Sequence, residues 1–179
     1  MNNKKWVRTW VKEQKKLLSE EERQRQSRMV IKKLLSHPSI LHAKMIMAYF
    51  PLPDELDVQD LLSELYASGK TVFLPVISDG EIILRKFQGF EQMEPGVFGV
   101  QEPCGEEFYR LTEVETVIVP GIAFSRNGYR LGRGKAYYDR FLPKVQIAYK
   151  IGVGYDFQLM DEIPTEPHDV RLDEILSAD

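Results

Sequence analysis

Short apolar runs rich in β-branched residues alternate with longer amphipathic segments along most of this 179-residue chain. The runs lie at residues 43–50, 71–77, 114–119, 150–155 and 170–176. Their length and composition are typical of buried β-strands. Strands interleaved with helices in this way predict an α/β fold: one domain over residues 1–179, with a mixed, largely parallel sheet flanked by helices in a Rossmann-like three-layer architecture.

The amphipathic segments carry recognisable helix signals. Residues 3–18 place six apolar side chains on one predicted face: Trp6, Val7, Trp10, Val11, Leu17 and Leu18. Ser19 and Glu22 form a capping-box pattern for a second helix that runs to Leu35. Asp57 is the expected cap of a third helix, which ends at Gly69.

Turn signals complete the predicted framework. Asp79-Gly80 predicts a tight antiparallel hairpin between residues 71–77 and 81–87. Residues 89–110 lose their periodicity and contain several prolines and glycines, so we expect a long irregular crossing.

Composition excludes several classes of protein. A net charge of −3 and a pI near 5.7 provide no global positive field for nucleic acid or an anionic membrane. The single cysteine, Cys104, excludes an intrachain disulfide and a cysteine-cluster metal site. No apolar run approaches a membrane span, and the basic N-terminus lacks a secretory pattern. We therefore expect a cytoplasmic protein, with a monomer as the default.

The segment from Arg130 to Asp139 concentrates the chemistry. Its three cations, Arg130, Arg133 and Lys135, are interleaved with two glycines, whose backbone can approach a ligand closely. Backbone amides and cations together suit a phosphate or another oxyanion. A helical pattern follows, so a helix N-terminus would add to the same site.

A simpler interpretation treats each of these residues as part of a basic surface hairpin. Asn127-Gly128 is a strong turn signal, and Lys135 with Asp139 could be an ordinary i,i+4 pair. The acidic pair Asp54-Glu55 follows a predicted strand end, as the basic segment does. Ligands of open α/β sheets bind beyond such ends, which favours one site containing both segments.

The segment Arg130-Leu131-Gly132-Arg133-Gly134-Lys135-Ala136-Tyr137-Tyr138-Asp139 resembles the signature of 5-formyltetrahydrofolate cyclo-ligases, also called methenyltetrahydrofolate synthetases. The likeness extends to Lys4 and Arg8, to Pro53-Asp54-Glu55, to Gly99 to Pro103, to Gln158 and to the closing segment His168 to Glu174. Ala136 departs from the pattern, since the family usually has glycine there, and alanine favours ordinary helical dihedrals.

The resemblance implies ATP-dependent cyclisation of 5-formyltetrahydrofolate to 5,10-methenyltetrahydrofolate with magnesium. The implied ATP ligands are Lys4, Arg8, Arg130, Leu131, Gly132, Arg133, Gly134, Lys135, Ala136, Tyr137 and Tyr138, with Arg133 and Lys135 nearest the transferred group. The implied folate ligands are Phe50, Glu55, Phe98, Arg133 and Tyr137. Asp139 and Asp173 are the implied magnesium ligands.

Burial also bears on Asp173, because it alternates with apolar neighbours in the predicted last strand. An unpaired carboxylate there would need a metal or a cation, and the alternative is that it accepts backbone N–H groups. The rival function is a non-catalytic module that binds RNA or a phosphosugar through the Arg-Gly loop. The acidic pI counts against RNA.

Overall fold

The computed structural model describes residues 3–179, except for the side chain of Phe98. Its α-helices are α1 (Lys4–Leu17), α2 (Glu20–Leu35), α3 (Pro38–Leu41), α4 (Gln59–Ala67) and α5 (Tyr137–Phe141). Its strands are β1 (Met45–Met47), β2 (Thr71–Ser78), β3 (Glu81–Lys86), β4 (Met93–Pro95), β5 (Gln101–Pro103), β6 (Glu107–Phe108), β7 (Thr116–Val119), β8 (Ala123–Ser125), β9 (Arg130–Leu131), β10 (Tyr149–Val153), β11 (Leu159–Met160) and β12 (Glu174–Leu176). Short 3-10 helices lie at Phe90–Gln92, Val97–Gly99, Leu111–Glu113, Leu142–Lys144 and Asp156–Gln158.

The main sheet has seven strands in the order β12-β10-β7-β1-β2-β3-β6. The five strands from β12 to β2 are parallel, and β3 and β6 add antiparallel pairs at one edge. Asp79 and Gly80 both have positive φ, as the predicted two-residue hairpin between β2 and β3 requires. The predicted α/β class with a mixed, largely parallel sheet is confirmed.

Alternate side chains of the central strands enter two separate cores. Ile46 and Val72 pack with the apolar faces of α2 and α4 on one side of the sheet. Met47 and Phe73 point to the other side, where they pack with Phe141 of α5. Because both faces are covered, the central strands carry nearly continuous apolar sequences.

Helix α1 packs against a smaller three-stranded sheet, β11-β8-β9, rather than against the main sheet. Its buried residues are Val7, Val11 and Lys15, whereas Leu17 is 78% exposed, so the prediction for Leu17 was wrong. The difference arises because burial follows the i, i+4, i+8 stripe and the helix ends at Leu17. This stripe leaves the basic residues Lys4 and Arg8 on the side that faces the β8–β9 hairpin.

Local boundaries agree with the sequence expectation in one place and differ from it in two. Ser19 caps α2 by accepting the backbone N–H of Glu22, as predicted. Asp57 accepts the N–H of Gln59, but Val58 occupies the cap position, so the helix begins one residue late. Residues 89–110 include the β4–β5 hairpin and β6 instead of a wholly irregular crossing.

No helix in residues 3–179 is long and apolar enough to cross a membrane.

Candidate active site

A cavity of about 640 Å³ opens beyond the carboxyl ends of β1, β2 and β7. The sequence-predicted residues that line it are Lys4, Arg8, Phe50, Glu55 and all of residues 130–139. These residues come from distant parts of the chain, yet they meet at one edge of the sheet. The expectation that the basic loop and the acidic pair face a common site agrees with this geometry.

The basic segment begins as a strand and not as a loop. Arg130 lies in β9, and the turn of the β8–β9 hairpin contains Gly128 at φ +97°. The Arg130 guanidinium donates from Nε to the carbonyl oxygen of Pro120 at 2.5 Å and lies 4.7 Å above the Tyr138 ring. Burial raises the pKa of Tyr138 well above its ordinary value, so its hydroxyl stays neutral. Arg130 therefore stabilises the start of the loop through these contacts, and it also lines the cavity.

The two glycines allow the loop to turn tightly against its neighbours. A side chain at Gly132 would meet the Arg130 guanidinium at 3.0 Å, and Gly134 has φ +108°. From α1, Arg8 donates its Nε–H to the carbonyl oxygen of Gly132 at 2.9 Å. The backbone of the loop is thus fixed from outside by a cation that also faces the cavity.

Ala136 also has a left-handed backbone conformation, with φ +58° and ψ +24°. The expectation of ordinary helical dihedrals at this position is wrong. Residues 133–135 form a bend in which Gly134 also has positive φ, and Ala136 is the residue that follows this bend and caps α5. An alanine therefore occupies a backbone position that favours glycine.

The side chain of Arg133 connects the basic loop to the acidic pair Asp54-Glu55. Its guanidinium donates to Asp54 Oδ1 at 2.8 Å and lies 4.0 Å from Glu55 Oε2. The other oxygen of Asp54 accepts from Lys15 Nζ at 3.2 Å, and Lys15 is 4% exposed. Burial lowers the pKa of Lys15, and the charge of Asp54 opposes that shift.

Glu55 is the buried member of the acidic pair. Its Oε1 accepts the backbone N–H of Leu52 at 2.8 Å, and its backbone carbonyl accepts from the Tyr155 hydroxyl at 3.2 Å. Burial raises the pKa of Glu55, while the Leu52 N–H and Arg133 oppose the shift. The carboxylate is held in place with little water around it, which suits the recognition of a ligand with paired N–H donors.

Lys135 is exposed at the cavity mouth, and no side-chain partner is found for it in residues 3–179. The suggested Lys135–Asp139 ion pair does not form among those residues. The loop is instead anchored by Arg140, which donates to the carbonyl oxygens of Lys135 and Gly80, each at 2.8 Å, and to Glu81. Lys135 is therefore available for an anion, and its backbone is tied to the β2–β3 hairpin.

Lys4 approaches the cavity together with the chain segment that precedes β12. Its ammonium lies 3.3 Å from Glu166 Oε1 and 3.7 Å from Asp169 Oδ2. Glu166, His168 and Asp169 present ligand atoms within 4.8 Å of one another, the spacing of a possible metal site. The ammonium of Lys4 already neutralises part of this charge, so the cluster is not by itself a metal site.

The structure does not bring Asp173 to the cavity. Asp173 is exposed, and its Oδ2 accepts the backbone N–H of Lys150 at 2.8 Å before β12 begins. The premise that it is buried between apolar neighbours was wrong, because the strand was expected from residue 170 and begins only at Glu174, after Asp173. Its carboxylate is satisfied without a metal, which leaves Asp139 as the proposed metal ligand that lines the cavity.

Two functional candidates were missed by sequence reasoning. Lys15 could have been found, because it continues the buried stripe of Val7 and Val11 as an isolated cation at i+4. Arg140 has no sequence signal that separates it from a solvated helix residue. Phe98 was also expected to line the folate half, and its side chain lies outside the described part of the structure.

Comparison with known proteins agrees with these observations. The model of the 5-formyltetrahydrofolate cyclo-ligase family matches residues 1–178. The mouse 5-formyltetrahydrofolate cyclo-ligase is 29% identical over 98% of this chain and 94% of its own length, and the Escherichia coli K12 enzyme is 26% identical over 93% and 96%.

Solved structures give the same result. The NMR structure of Aquifex aeolicus 5,10-methenyltetrahydrofolate synthetase has a TM-score of 0.86 and 37% identity over 96% of this chain and 88% of its own. The Mycoplasma pneumoniae 5,10-methenyltetrahydrofolate synthetase has a TM-score of 0.80 and 27% identity, and covers 99% of this chain and 100% of its own. With a family model that spans nearly the whole chain and two structures of this kind, the chain belongs to the 5-formyltetrahydrofolate cyclo-ligase family.

Proposed function

We propose that this protein uses ATP to convert 5-formyltetrahydrofolate to 5,10-methenyltetrahydrofolate, with release of ADP and phosphate. The observation that carries the proposal is the shared cavity, which is lined both by the glycine-containing loop with its three cations and by the largely buried carboxylate of Glu55. Family membership supports the same activity.

In the proposed reaction, the formyl oxygen attacks the γ-phosphorus of ATP and ADP leaves. The folate N10 then attacks the activated formyl carbon and loses its proton to water, the carbon–oxygen bond breaks, and phosphate departs with its electron pair. Both nucleophiles belong to the substrate. The protein has to align the two substrates and neutralise phosphate charge, so no nucleophilic side chain is required.

The role that we propose for each cation of the cavity depends on how exposed its charged group is. Arg133 and Lys135 are our proposed catalytic residues, because their charged groups lie on the exposed part of the loop. A guanidinium can contact two phosphoryl oxygens in one plane, whereas an ammonium acts as a point charge. Lys4, Arg8 and Arg130, with the loop from Leu131 to Tyr138, complete the proposed ATP site.

The apolar end of the cavity is the proposed folate site. Glu55 would accept the N–H groups of the amino-pyrimidine edge, and Phe50 and Tyr137 line the same space. Arg133 contacts Asp54 and approaches Glu55, so it lies where the two substrates would meet. Phe98 remains a proposed ring contact from the resemblance alone.

Magnesium is proposed with ATP. Asp139 lines the cavity, and a carboxylate oxygen is the kind of ligand that magnesium selects. When bound, the ion would neutralise charge on the ATP phosphates. One protein carboxylate with phosphates and waters is a usual magnesium site, so the loss of Asp173 from the set does not prevent binding.

The decisive experiment follows the near-ultraviolet absorbance of methenyltetrahydrofolate. We expect it to rise only when ATP and 5-formyltetrahydrofolate are both present. A protein that binds a phosphosugar or RNA but never produces this absorbance would be the rival regulatory module. A lack of product in the presence of both substrates and magnesium would refute the proposed function.

We also propose a single domain that works as a cytoplasmic monomer without nucleic acid or membrane partners. The net charge of −3 supports the absence of a nucleic-acid partner. Light scattering tests the monomer directly, and a mass of two chains would refute it.

A further inference from the structure

The Arg133 guanidinium, proposed above to act on the transferred phosphoryl group, forms an ion pair with a carboxylate of the protein itself. Its partner is Asp54, at 2.8 Å, which belongs to the acidic pair after β1 and not to the loop of Arg133. Both side chains are 44% exposed, so the contact lies at the cavity edge where a ligand can compete for it.

Asp54 also forms an ion pair with a second cation. Lys15 Nζ lies 3.2 Å from the other carboxylate oxygen, and the Lys15 side chain is 5% exposed. One carboxylate therefore joins two cations, one buried and one at the surface. Although burial opposes the shift, the two cations hold the pKa of Asp54 below its ordinary value, so it remains charged near neutral pH.

This arrangement makes the two contacts unequal. A buried ammonium without an anion is costly, so the Lys15–Asp54 pair must persist. The half-exposed Arg133–Asp54 pair contributes little to stability. When Arg133 leaves for another anion, Asp54 keeps its buried partner and no buried charge is left alone.

We propose that Asp54 is a positioning residue, which holds Arg133 between the two substrate sites until the ATP phosphates displace it, while Lys15 keeps Asp54 paired. The inference rests on the proposed function, because the displacing anion is the ATP triphosphate. It predicts that Asp54 competes with ATP for Arg133 and so weakens ATP binding.

The test is calorimetric titration of ATP with magnesium into the folate-free protein. Asp54→Asn should lower the Kd of ATP roughly two- to fivefold, the range of an exposed ion pair. The matched control is Asp161→Asn, which removes the same charge from an exposed pair with Arg126 at 2.9 Å and should leave the Kd unchanged.

Two further variants separate release of Arg133 from a general charge effect. Lys15→Gln combined with Asp54→Asn preserves the net charge and removes the orphaned buried cation, so it also covers the case in which Asp54→Asn alone does not fold. It should still bind ATP more tightly. In an Arg133→Gln background, Asp54→Asn should have no effect on the Kd.

Each outcome of these titrations either supports or overturns the proposal. Tighter ATP binding in both Asp54→Asn variants, lost in the Arg133→Gln background, supports the proposal. An unchanged Kd in folded Asp54→Asn, or a gain that persists without Arg133, overturns it. If the wild-type protein binds no ATP, the proposed function itself fails, which is a different result from unaltered binding in the variants.

Discussion

Replacing Ala136 with glycine should stabilise the protein, although glycine usually destabilises. Ala136 has φ +58° and ψ +24°, the left-handed region, which costs an L-residue with a Cβ about 1–2 kcal/mol. Glycine avoids most of this cost, but it gains freedom in the unfolded chain worth about 0.4–1 kcal/mol. The central values of the two effects, about 1.5 and about 0.7 kcal/mol, leave a net stabilisation of about 0.8 kcal/mol for Ala136→Gly.

The assay is thermal unfolding followed by calorimetry. For a chain of this size, about 1 kcal/mol corresponds to roughly 2–4 °C in Tm, so we expect a rise of about 1–4 °C. The matched control is Ala67→Gly at the exposed end of α4, where the same chemical change meets an ordinary helical backbone. That variant should lose stability, by up to about 1 kcal/mol.

A fall in Tm for Ala136→Gly similar to that of Ala67→Gly would refute the reasoning. It would mean that residue 136 does not adopt the left-handed conformation in solution. If the change in Tm has opposite signs in the two variants, the cause is the backbone conformation, because both substitutions remove the same atoms.

Three further predictions concern the reaction. Arg133→Ala should lower kcat roughly a hundredfold, because removing one preorganised charge contact to a transition state usually costs about that much. Steady-state kinetics measure this change, and an unchanged kcat would exclude the proposed contact between Arg133 and the transferred phosphoryl group. Glu55→Gln should weaken folate binding by about 1.5–3 kcal/mol and leave ATP binding intact, as calorimetry can measure. Because burial raises the pKa of Glu55, the native state binds this proton more tightly than the unfolded chain, and stability falls as pH rises from the ordinary pKa through the raised one. Glu55→Gln removes that loss, so its Tm should exceed that of the wild type at neutral pH and the gap should close in acid. Asp139→Asn should raise the magnesium concentration for half-maximal activity, whereas a similar rise in Asp173→Asn would restore the rejected ligand.

The sheet was predictable because its signals are local. Buried parallel strands need continuous apolar runs, and the Asp79-Gly80 turn fixes one hairpin by its backbone preference alone. The site could be predicted where the residues cluster in sequence, as they do in residues 130–139. Its location at the carboxyl ends of the strands then followed from the fold class.

The remaining features depend on contacts between distant residues. The pairing of Asp54 with Lys15 joins a helix to a loop, and no pattern in either segment specifies the partner. Asp173 was misplaced because the predicted strand began at residue 170, whereas β12 begins at Glu174 and leaves Asp173 in the exposed segment before it. Ala136 has its unusual backbone because of the surrounding loop, against its own preference.

Segments that are far apart in the sequence line the part of the cavity that we propose for phosphate. Arg8 contacts the loop at Gly132, a sequence separation of 124, and Lys4 contacts Glu166 and Asp169 before the last strand. Closing such long loops is entropically unfavourable until the sheet has formed, so these contacts complete late in folding. A chain that is still being synthesised cannot complete this proposed anion site before residues 130–139 have formed and met α1. Ligands that bind this site stabilise only molecules in which α1 contacts these distant segments, and mass action then favours that folded arrangement.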